Sequence, residues 1–263
     1  MAAFPVFIIG SPRSGTSILV RGLQGAGYFG YNEGNFLSLM TTIDRQVDRH
    51  FAIFGNDDTK VLTSVIDRSA LKANLRRVLA DAVAEKHEGK VWFDKTGNPE
   101  MIEAIPSLMS FWPGAHFIFA KRRAIENIVS RIRKFPKHTF EYHCIDWARN
   151  MRTWRELMRS HPTLPGIEVD QRDIGNSPGM TAAMICNFLR VPPEGEAEMA
   201  SIFSSEQPQQ SEPASAGRTF TLESTGWTEA QRELFCRHCG EEMKAFGYTE
   251  DQDYRSDSPE ALS

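Results

Sequence analysis

A loop near the start of the chain has residue types that bind oxyanions. Gly10-Ser-Pro-Arg-Ser-Gly-Thr-Ser17, here called the anion loop, follows a short apolar run and precedes a stretch whose apolar residues have helical spacing. A loop between a buried strand and a helix directs several backbone N–H groups and the positive end of the helix dipole at one point. The planar guanidinium group of Arg13 adds a positive charge, and guanidinium groups bind phosphate-like anions through paired hydrogen bonds. The anion loop is therefore predicted to bind an anion.

The anion loop differs from the loops of nucleotide-hydrolysing proteins at one position. Its spacing resembles Gly-x-x-x-x-Gly-Lys-[Ser/Thr], but Thr16 stands where those proteins have lysine. Without the lysine, the loop is poorly suited to hold the β- and γ-phosphates of a magnesium nucleotide. A nucleotide or small-molecule kinase is therefore the second interpretation, in which Asp94 would be taken for the metal-binding carboxylate.

The segment Pro-Arg-Ser-Gly-Thr-Ser of the anion loop resembles the 5′-phosphosulfate-binding loop of sulfotransferases, which use 3′-phosphoadenosine 5′-phosphosulfate (PAPS). The Arg-Ser-Gly-Thr form is common among tyrosylprotein sulfotransferases and bacterial carbohydrate or lipid sulfotransferases. The resemblance implies PAPS as co-substrate without a metal ion, and it implies that Arg13 lies against the oxygen that bridges phosphorus and sulfur. The other loop residues that it implies in cofactor binding are Ser11, Ser14, Gly15, Thr16 and Ser17.

The resemblance extends to a second motif in the middle of the chain. Family members have an arginine at the end of a strand and a serine eight positions later, and Arg122 and Ser130 match this spacing. These two residues would hold the 3′-phosphate, which distinguishes PAPS from ATP. Arg123 departs from the acidic or small residue often found there, so a share of this role for Lys121 or Arg123 stays open. Arg218 is similar to the late basic segment that closes over the nucleotide in the family.

The acceptor of a sulfuryl group needs a base to take its proton. One branch of the family uses the histidine of a Lys-x-His-x-Pro segment, but here Lys95-Thr-Gly97-Asn-Pro99 has glycine at that position. The other branch uses a glutamate shortly after the first helix, which corresponds to Glu33. We predict Glu33 as general base and Lys95 as a second cation near the transferring group. Because a loop glutamate is usually a solvated residue without a task, a nucleotide-binding relative without transfer activity is the third interpretation.

Strand-like and helix-like segments alternate along the chain. Apolar runs predict strands over 4–9, 91–93, 115–120 and 165–170. Helical spacing predicts helices over 16–24, 68–87, 99–109, 124–131, 140–160, 181–189 and 228–246. Such alternation is typical of an α/β fold with three α/β/α layers and a mainly parallel sheet, and the resemblance implies the P-loop-like sulfotransferase fold.

Composition predicts how the chain is divided. One sulfotransferase domain is expected over 1–250, with a mobile Pro- and Ser-rich loop at 204–217 and an acidic, disordered tail at 251–263. The loops at 35–65 and 204–217 are expected to set acceptor specificity.

Charge and cysteine content restrict the partners and the location. Thirty Lys and Arg residues against 34 Asp and Glu residues give a net charge of −4, so nucleic acid is not an expected partner. Four cysteines, an opening segment unlike a signal peptide and the lack of a membrane-spanning apolar run predict a cytoplasmic protein. Cys236 and Cys239 have no second pair of metal ligands, so no metal site is predicted. The expected acceptor is a hydroxyl, less often an amine, of a carbohydrate, lipid or small molecule.

Overall fold

The central element of the fold is a parallel sheet. The computed structural model describes residues 4–55, 61–87, 90–110, 112–206 and 219–256. The strands within these ranges are β1 (Val6–Gly10), β2 (Phe29–Tyr31), β3 (Trp92–Lys95), β4 (His116–Lys121) and β5 (Gly166–Asp170). Their order is β2-β3-β1-β4-β5, and every neighbouring pair is parallel. The carboxyl ends of all these strands therefore meet at one edge of the sheet.

Helices connect the strands. They are α1 (Thr16–Gly25), α2 (Phe36–Phe54), α3 (Arg68–His87), α4 (Pro99–Glu103), α5 (Ile105–Met109), α6 (Ala124–Lys134), α7 (Phe140–Ser160), α8 (Gln171–Asn176), α9 (Pro178–Leu189), α10 (Pro193–Ser205) and α11 (Glu229–Ala245). Within the described ranges, no helix combines the length and the apolar character needed to cross a membrane.

The sheet separates two apolar cores because successive side chains of a strand face opposite sides. Phe7 and Phe117 belong to the core shared with α4 to α7 and α11. Val6, Ile8 and Ile118 belong to the core shared with α1, α9 and α10. Helices therefore cover both faces of a parallel sheet, and the predicted three-layer α/β/α class is confirmed.

The predicted strands are present, and their ends differ from the prediction by at most two residues. Several elements were missed. β2 is a three-residue edge strand, too short to show a periodic pattern, and α8 and α10 were not predicted. The expectation of a loop over 35–65 was wrong for its first part, because α2 occupies 36–54 and buries Phe36 and Met40 in the core.

The end of the chain packs on the domain further than the composition suggested. Tyr254 is buried, the Tyr254 carbonyl accepts a hydrogen bond from the Thr249 N–H (3.1 Å), and Tyr248 forms an antiparallel bridge with Arg255. Residues 251–256 therefore do not fit the predicted disordered tail. Residues 257–263 of that tail, and 207–217 of the predicted mobile loop, lie outside the described residues. The single domain over 1–250 stays a prediction.

Candidate active site

The anion loop joins the central strand β1 to the N-terminus of α1. Gly15 precedes the helix with φ of 87°, and no side chain caps the helix at this end. The first N–H groups of an uncapped helix lack partners within the helix and attract anions. Arg13 has φ of 72°, which is uncommon for a residue other than glycine and occurs at functional sites. The backbone is thus arranged to bind a negative group at the start of α1.

Two side chains of α6 hold the anion loop in this shape. The Asn127 amide Nδ2 donates to the Pro12 carbonyl (3.0 Å) and to the Ser14 hydroxyl (3.0 Å). The Arg131 guanidinium Nη1 donates to the Ser11 hydroxyl (2.9 Å). The side chains of Ser11 and Ser14 are buried. Their hydroxyl groups therefore face α6, and they shape the loop from within the protein.

Arg13 connects the anion loop to the residues that follow β4. Its Nε donates to the Ser130 hydroxyl (3.0 Å), and the Arg122 Nη1 donates to the Arg13 carbonyl (3.2 Å). Burial, and then repulsion from Arg122, lower the pKa of Arg13. Two guanidinium groups are therefore held close together, an arrangement that an anion between them would stabilise.

The three consecutive cations that begin with the last residue of β4 have different partners. Lys121 Nζ forms an ion pair with Glu168 (2.5 Å), and Arg123 Nε donates to Glu126 (2.8 Å). Arg123 is completely buried, whereas Arg122 is half-buried. Among the residues that the structure describes, no carboxylate pairs with Arg122, and burial lowers its pKa. The geometry therefore singles out Arg122 as the cation that contacts the anion loop, whereas Lys121 and Arg123 are paired with carboxylates.

A pocket at the start of α1 brings together several of the predicted residues. It is lined by Arg13, Gly15, Thr16, Ser17, Ile18, Arg122 and Gln171. Gln171, the first residue of α8, lies over Gly15, since a Cβ at position 15 would come within 2.9 Å of the Gln171 Cγ. Only glycine combines the positive φ with this close approach. Ser130 contacts this group through Arg13, and Arg218 lies outside the described residues.

Glu33 and Lys95 form a second polar group near the carboxyl edge of the sheet. They make an ion pair in which the Glu33 side chain is 66% exposed and the Lys95 side chain is 12% exposed. Asp94, at the end of β3, organises the Glu33 loop by accepting the Gly34 N–H (2.9 Å) and the Phe36 N–H (3.4 Å). Burial raises the pKa of Asp94. The Glu33 carboxylate is therefore accessible to solvent, and the buried Asp94 side chain holds its loop in place.

The backbone around Gly97 leaves little room for a side chain at the position where one branch of the family has histidine. The Thr96 N–H donates to the Ile8 carbonyl (3.0 Å), which places the segment after β3 against the beginning of the anion loop. A Cβ at Gly97 would come within 2.8 Å of the Gly10 carbonyl oxygen. A side chain at position 97 would therefore require the backbone to shift.

A family model described as the sulfotransferase family matches residues 5–195. The chain belongs to the sulfotransferase family. The match covers the whole sheet and every predicted site residue except Arg218. The predicted family is confirmed, while the Arg-Ser-Gly-Thr branch stays a prediction.

Solved sulfotransferase structures share the fold at low sequence identity. The sulfotransferase domain of the curacin biosynthetic pathway is 15% identical with a TM-score of 0.56, over 92% of this chain and 97% of that one. The sulfotransferase domain of the Synechococcus PCC 7002 olefin synthase is 17% identical with a TM-score of 0.57, over 94% and 96%. Mouse sulfotransferase SULT7A1, solved in complex with PAP, is 15% identical with a TM-score of 0.51, over 92% and 85%. No curated protein sequence matches the chain significantly.

Sequence reasoning missed three side chains that shape or line the pocket, namely Asn127, Arg131 and Gln171. Asn127 and Arg131 are four residues apart and so lie on one face of α6. Polar residues at this spacing in an otherwise buried helix are a signal that a partner exists, because buried polar groups are nearly always hydrogen-bonded. The identity of the partner was not visible in the sequence.

We expect Asn127→Ala to weaken binding of 5′-AMP and of adenosine 3′,5′-bisphosphate (PAP) by similar factors. The substitution removes two hydrogen bonds to the anion loop, one of them buried. Hydrogen bonds contribute about 1 kcal/mol each, so a loss of roughly 5- to 30-fold is expected for both ligands. Isothermal titration calorimetry measures both affinities. Ile128→Val, a buried change in the apolar core on the same helix, is the control for a loss of stability alone. Unchanged affinities in Asn127→Ala would show that α6 does not set the loop geometry.

Proposed function

We propose that the chain is a PAPS-dependent sulfotransferase that moves the sulfuryl group from PAPS to a hydroxyl group. The observation that carries the proposal is the proximity of Arg13 and Arg122 at one pocket beside the N-terminus of α1. A donor with phosphate groups on its 5′ and 3′ oxygens needs two cationic sites within the reach of one molecule. The two sets of residues found by resemblance lie next to each other, as such a donor requires.

In this proposal the anion loop binds the 5′ end of the donor. The N–H groups at Gly15, Thr16 and Ser17 hold the 5′-phosphate at the start of α1. Arg13 stabilises the negative charge that grows on the bridging oxygen as the sulfur–oxygen bond breaks, which is the main catalytic task in a loose, in-line transfer. Ser11 and Ser14 contribute by keeping the loop in shape.

Arg122 and Ser130 bind the 3′-phosphate in this proposal. A phosphate dianion beside Arg122 would also offset the repulsion between the guanidinium groups of Arg122 and Arg13. Donor binding thereby stabilises the arrangement that catalysis needs. Arg218 is proposed to close over the nucleotide, on the strength of the resemblance alone.

Glu33 acts as the general base. Its carboxylate takes the proton of the acceptor hydroxyl while the acceptor oxygen bonds to sulfur, the bond from sulfur to the bridging oxygen breaks, and PAP leaves. Lys95 orients the carboxylate through their ion pair and adds positive charge near the transferring group.

The acceptor is a carbohydrate, lipid or small molecule with a hydroxyl, less often an amine. Four free cysteines support a reducing, cytoplasmic location.

The first test compares the ligand preferences of a sulfotransferase and a kinase. We expect PAP to bind without magnesium, and at least about 10-fold more tightly than Mg-ATP, because a paired phosphate contributes about 1.5–3 kcal/mol. Titration calorimetry with PAP in the presence of EDTA, and with Mg-ATP, measures the two affinities. A preference for Mg-ATP would replace the proposal by the kinase interpretation.

A second test concerns the 3′-phosphate. Arg122→Ala should weaken PAP binding on the order of 10- to 100-fold, because it removes a charge-assisted pair with the phosphate that only PAP carries. Binding of 5′-AMP should fall by at most about fivefold in the same calorimetric assay, since only the hydrogen bond from Arg122 to the Arg13 carbonyl is lost. Arg149→Ala removes an exposed arginine in the middle of α7 and is the control for the loss of a positive charge. Equal losses for the two nucleotides would refute the placement of the 3′-phosphate.

A third test separates catalysis from binding. Glu33→Gln should lower the rate of sulfuryl transfer on the order of 100-fold or more, because general bases contribute about 10²- to 10⁴-fold. PAP affinity should stay within about twofold, since Glu33 makes no contact with the donor in this proposal. The rate is followed by mass spectrometry of sulfonated products in metabolite extracts incubated with PAPS. Unaltered product formation would remove Glu33 from the mechanism, and a wild-type protein that binds PAP but forms no product would favour the scaffold interpretation.

A further inference from the structure

A buried carboxylate lies directly beside the proposed 3′-phosphate site. Asp170 ends β5, and the sheet register pairs it with Lys121, the residue before Arg122. Its carboxylate accepts hydrogen bonds from the hydroxyl groups of Tyr248 (2.6 Å) and Tyr254 (2.9 Å). Arg255 Nη2 adds an ion pair at 2.9 Å. We call Tyr248, Tyr254 and Arg255 the C-terminal clamp.

The carboxylate of Asp170 would otherwise be a natural partner for Arg122. Opposite charges attract strongly where burial lowers the local dielectric constant. Asp170 is buried to 99%, and its Oδ1 also accepts the Arg172 N–H (2.8 Å). With its hydrogen-bonding capacity taken up in this way, Asp170 forms no ion pair with Arg122, which donates to the Arg13 carbonyl instead.

The clamp also fixes the backbone immediately after Arg122. The Arg123 N–H donates to the Tyr254 hydroxyl (3.2 Å). The ring of Tyr254 lies 4.8 Å from the Arg123 guanidinium and 4.3 Å from that of Arg172. Arg123 in turn donates to the carbonyl of Asp251 (2.7 Å). The last described segment of the chain thus hydrogen-bonds to two neighbours of Arg122. One is Asp170, on the adjacent strand, and the other is Arg123, the next residue in the chain.

We propose that the C-terminal clamp positions the donor site by occupying Asp170, so that Arg122 stays directed to the 3′-phosphate of the nucleotide. This inference rests on the proposed function. It extends the site to residues beyond the 5–195 that the family model matches. The clamp residues are positioning residues, since they act on the nucleotide through Arg122.

The decisive measurement is the ratio of PAP affinity to 5′-AMP affinity. Tyr254→Phe keeps the ring and removes the hydroxyl that binds Asp170 and the Arg123 N–H. We expect PAP binding to weaken on the order of 10-fold, since Asp170 then competes for Arg122, while 5′-AMP binding changes less than about twofold. Tyr142→Phe, at an exposed tyrosine of α7, is the matched control. A general loosening of the fold would weaken both nucleotides equally, and that result, or an unchanged ratio, would overturn the inference.

A double variant tests whether the negative charge of Asp170 causes the expected loss of PAP affinity. Asp170→Asn in the Tyr254→Phe background removes the competing charge, and asparagine still caps a helix N-terminus. The ratio of PAP to 5′-AMP affinity should return towards the wild-type value, which a purely structural role of Tyr254 would not produce. A further fall in the ratio would contradict the clamp.

Truncation provides an independent comparison. A chain that ends after Asp253 loses Tyr254 and Arg255, whereas a chain that ends after Ser256 keeps the clamp. Only the shorter chain should lose its preference for PAP, with thermal unfolding measured for both chains. Equal preferences would argue against the clamp. Wild-type protein that does not bind PAP would refute the proposed function itself, and this outcome is distinct from a clamp variant that binds both nucleotides as wild type does.

Discussion

The site depends on two guanidinium groups that the fold holds close together. Arg13 and Arg122 repel each other, and their proximity lowers the pKa of Arg13 beyond the effect of burial. Like charges remain together in a folded protein only when other contacts hold them. Here the contacts are the hydrogen bond from Arg122 to the Arg13 carbonyl and the bond from Arg13 to Ser130. Glu126 and Asp170 act in the opposite direction on the pKa of Arg122, and a multiply charged anion at the pocket would offset the repulsion that acts on Arg13.

Helix α6 supports both Arg13 and the rest of the anion loop. On α6, Ser130 contacts Arg13, while Asn127 and Arg131 hold the remainder of the anion loop. Asp146 on α7 in turn holds Arg131 at 2.6 Å. Sites built on packed helices and strands keep their geometry better than sites built on loops alone. The loop that carries the chemistry is thus supported by a buried polar network, so its strained backbone at Arg13 can persist.

The functional groups follow the order of the strands. Lys95 and the Glu33 loop lie at the end of β3, the anion loop follows β1, Arg122 follows β4, and Asp170 ends β5. Along this edge of the sheet, the proposed acceptor side therefore comes first. The 5′ end of the donor, its 3′ end and the clamp follow in that order. Ligand sites in open α/β sheets lie at this carboxyl edge. A parallel sheet converts segments far apart in the chain into neighbours.

Local patterns in the sequence were enough to determine the alternation of strands and helices, the anion loop, and the spacing of Arg122 and Ser130, because each depends on residues close together in the chain. The three-residue β2 and the helix α2 escaped this kind of reasoning, since packing against β3 and the core decides them. Only the tertiary structure decided which of three adjacent cations faces the anion loop. Lys121 and Arg123 are engaged by Glu168 and Glu126, and Asp170 is engaged by Tyr254, 84 positions away. Such pairings depend on which charged groups burial brings together, and the identity and spacing of neighbouring residues do not contain that information.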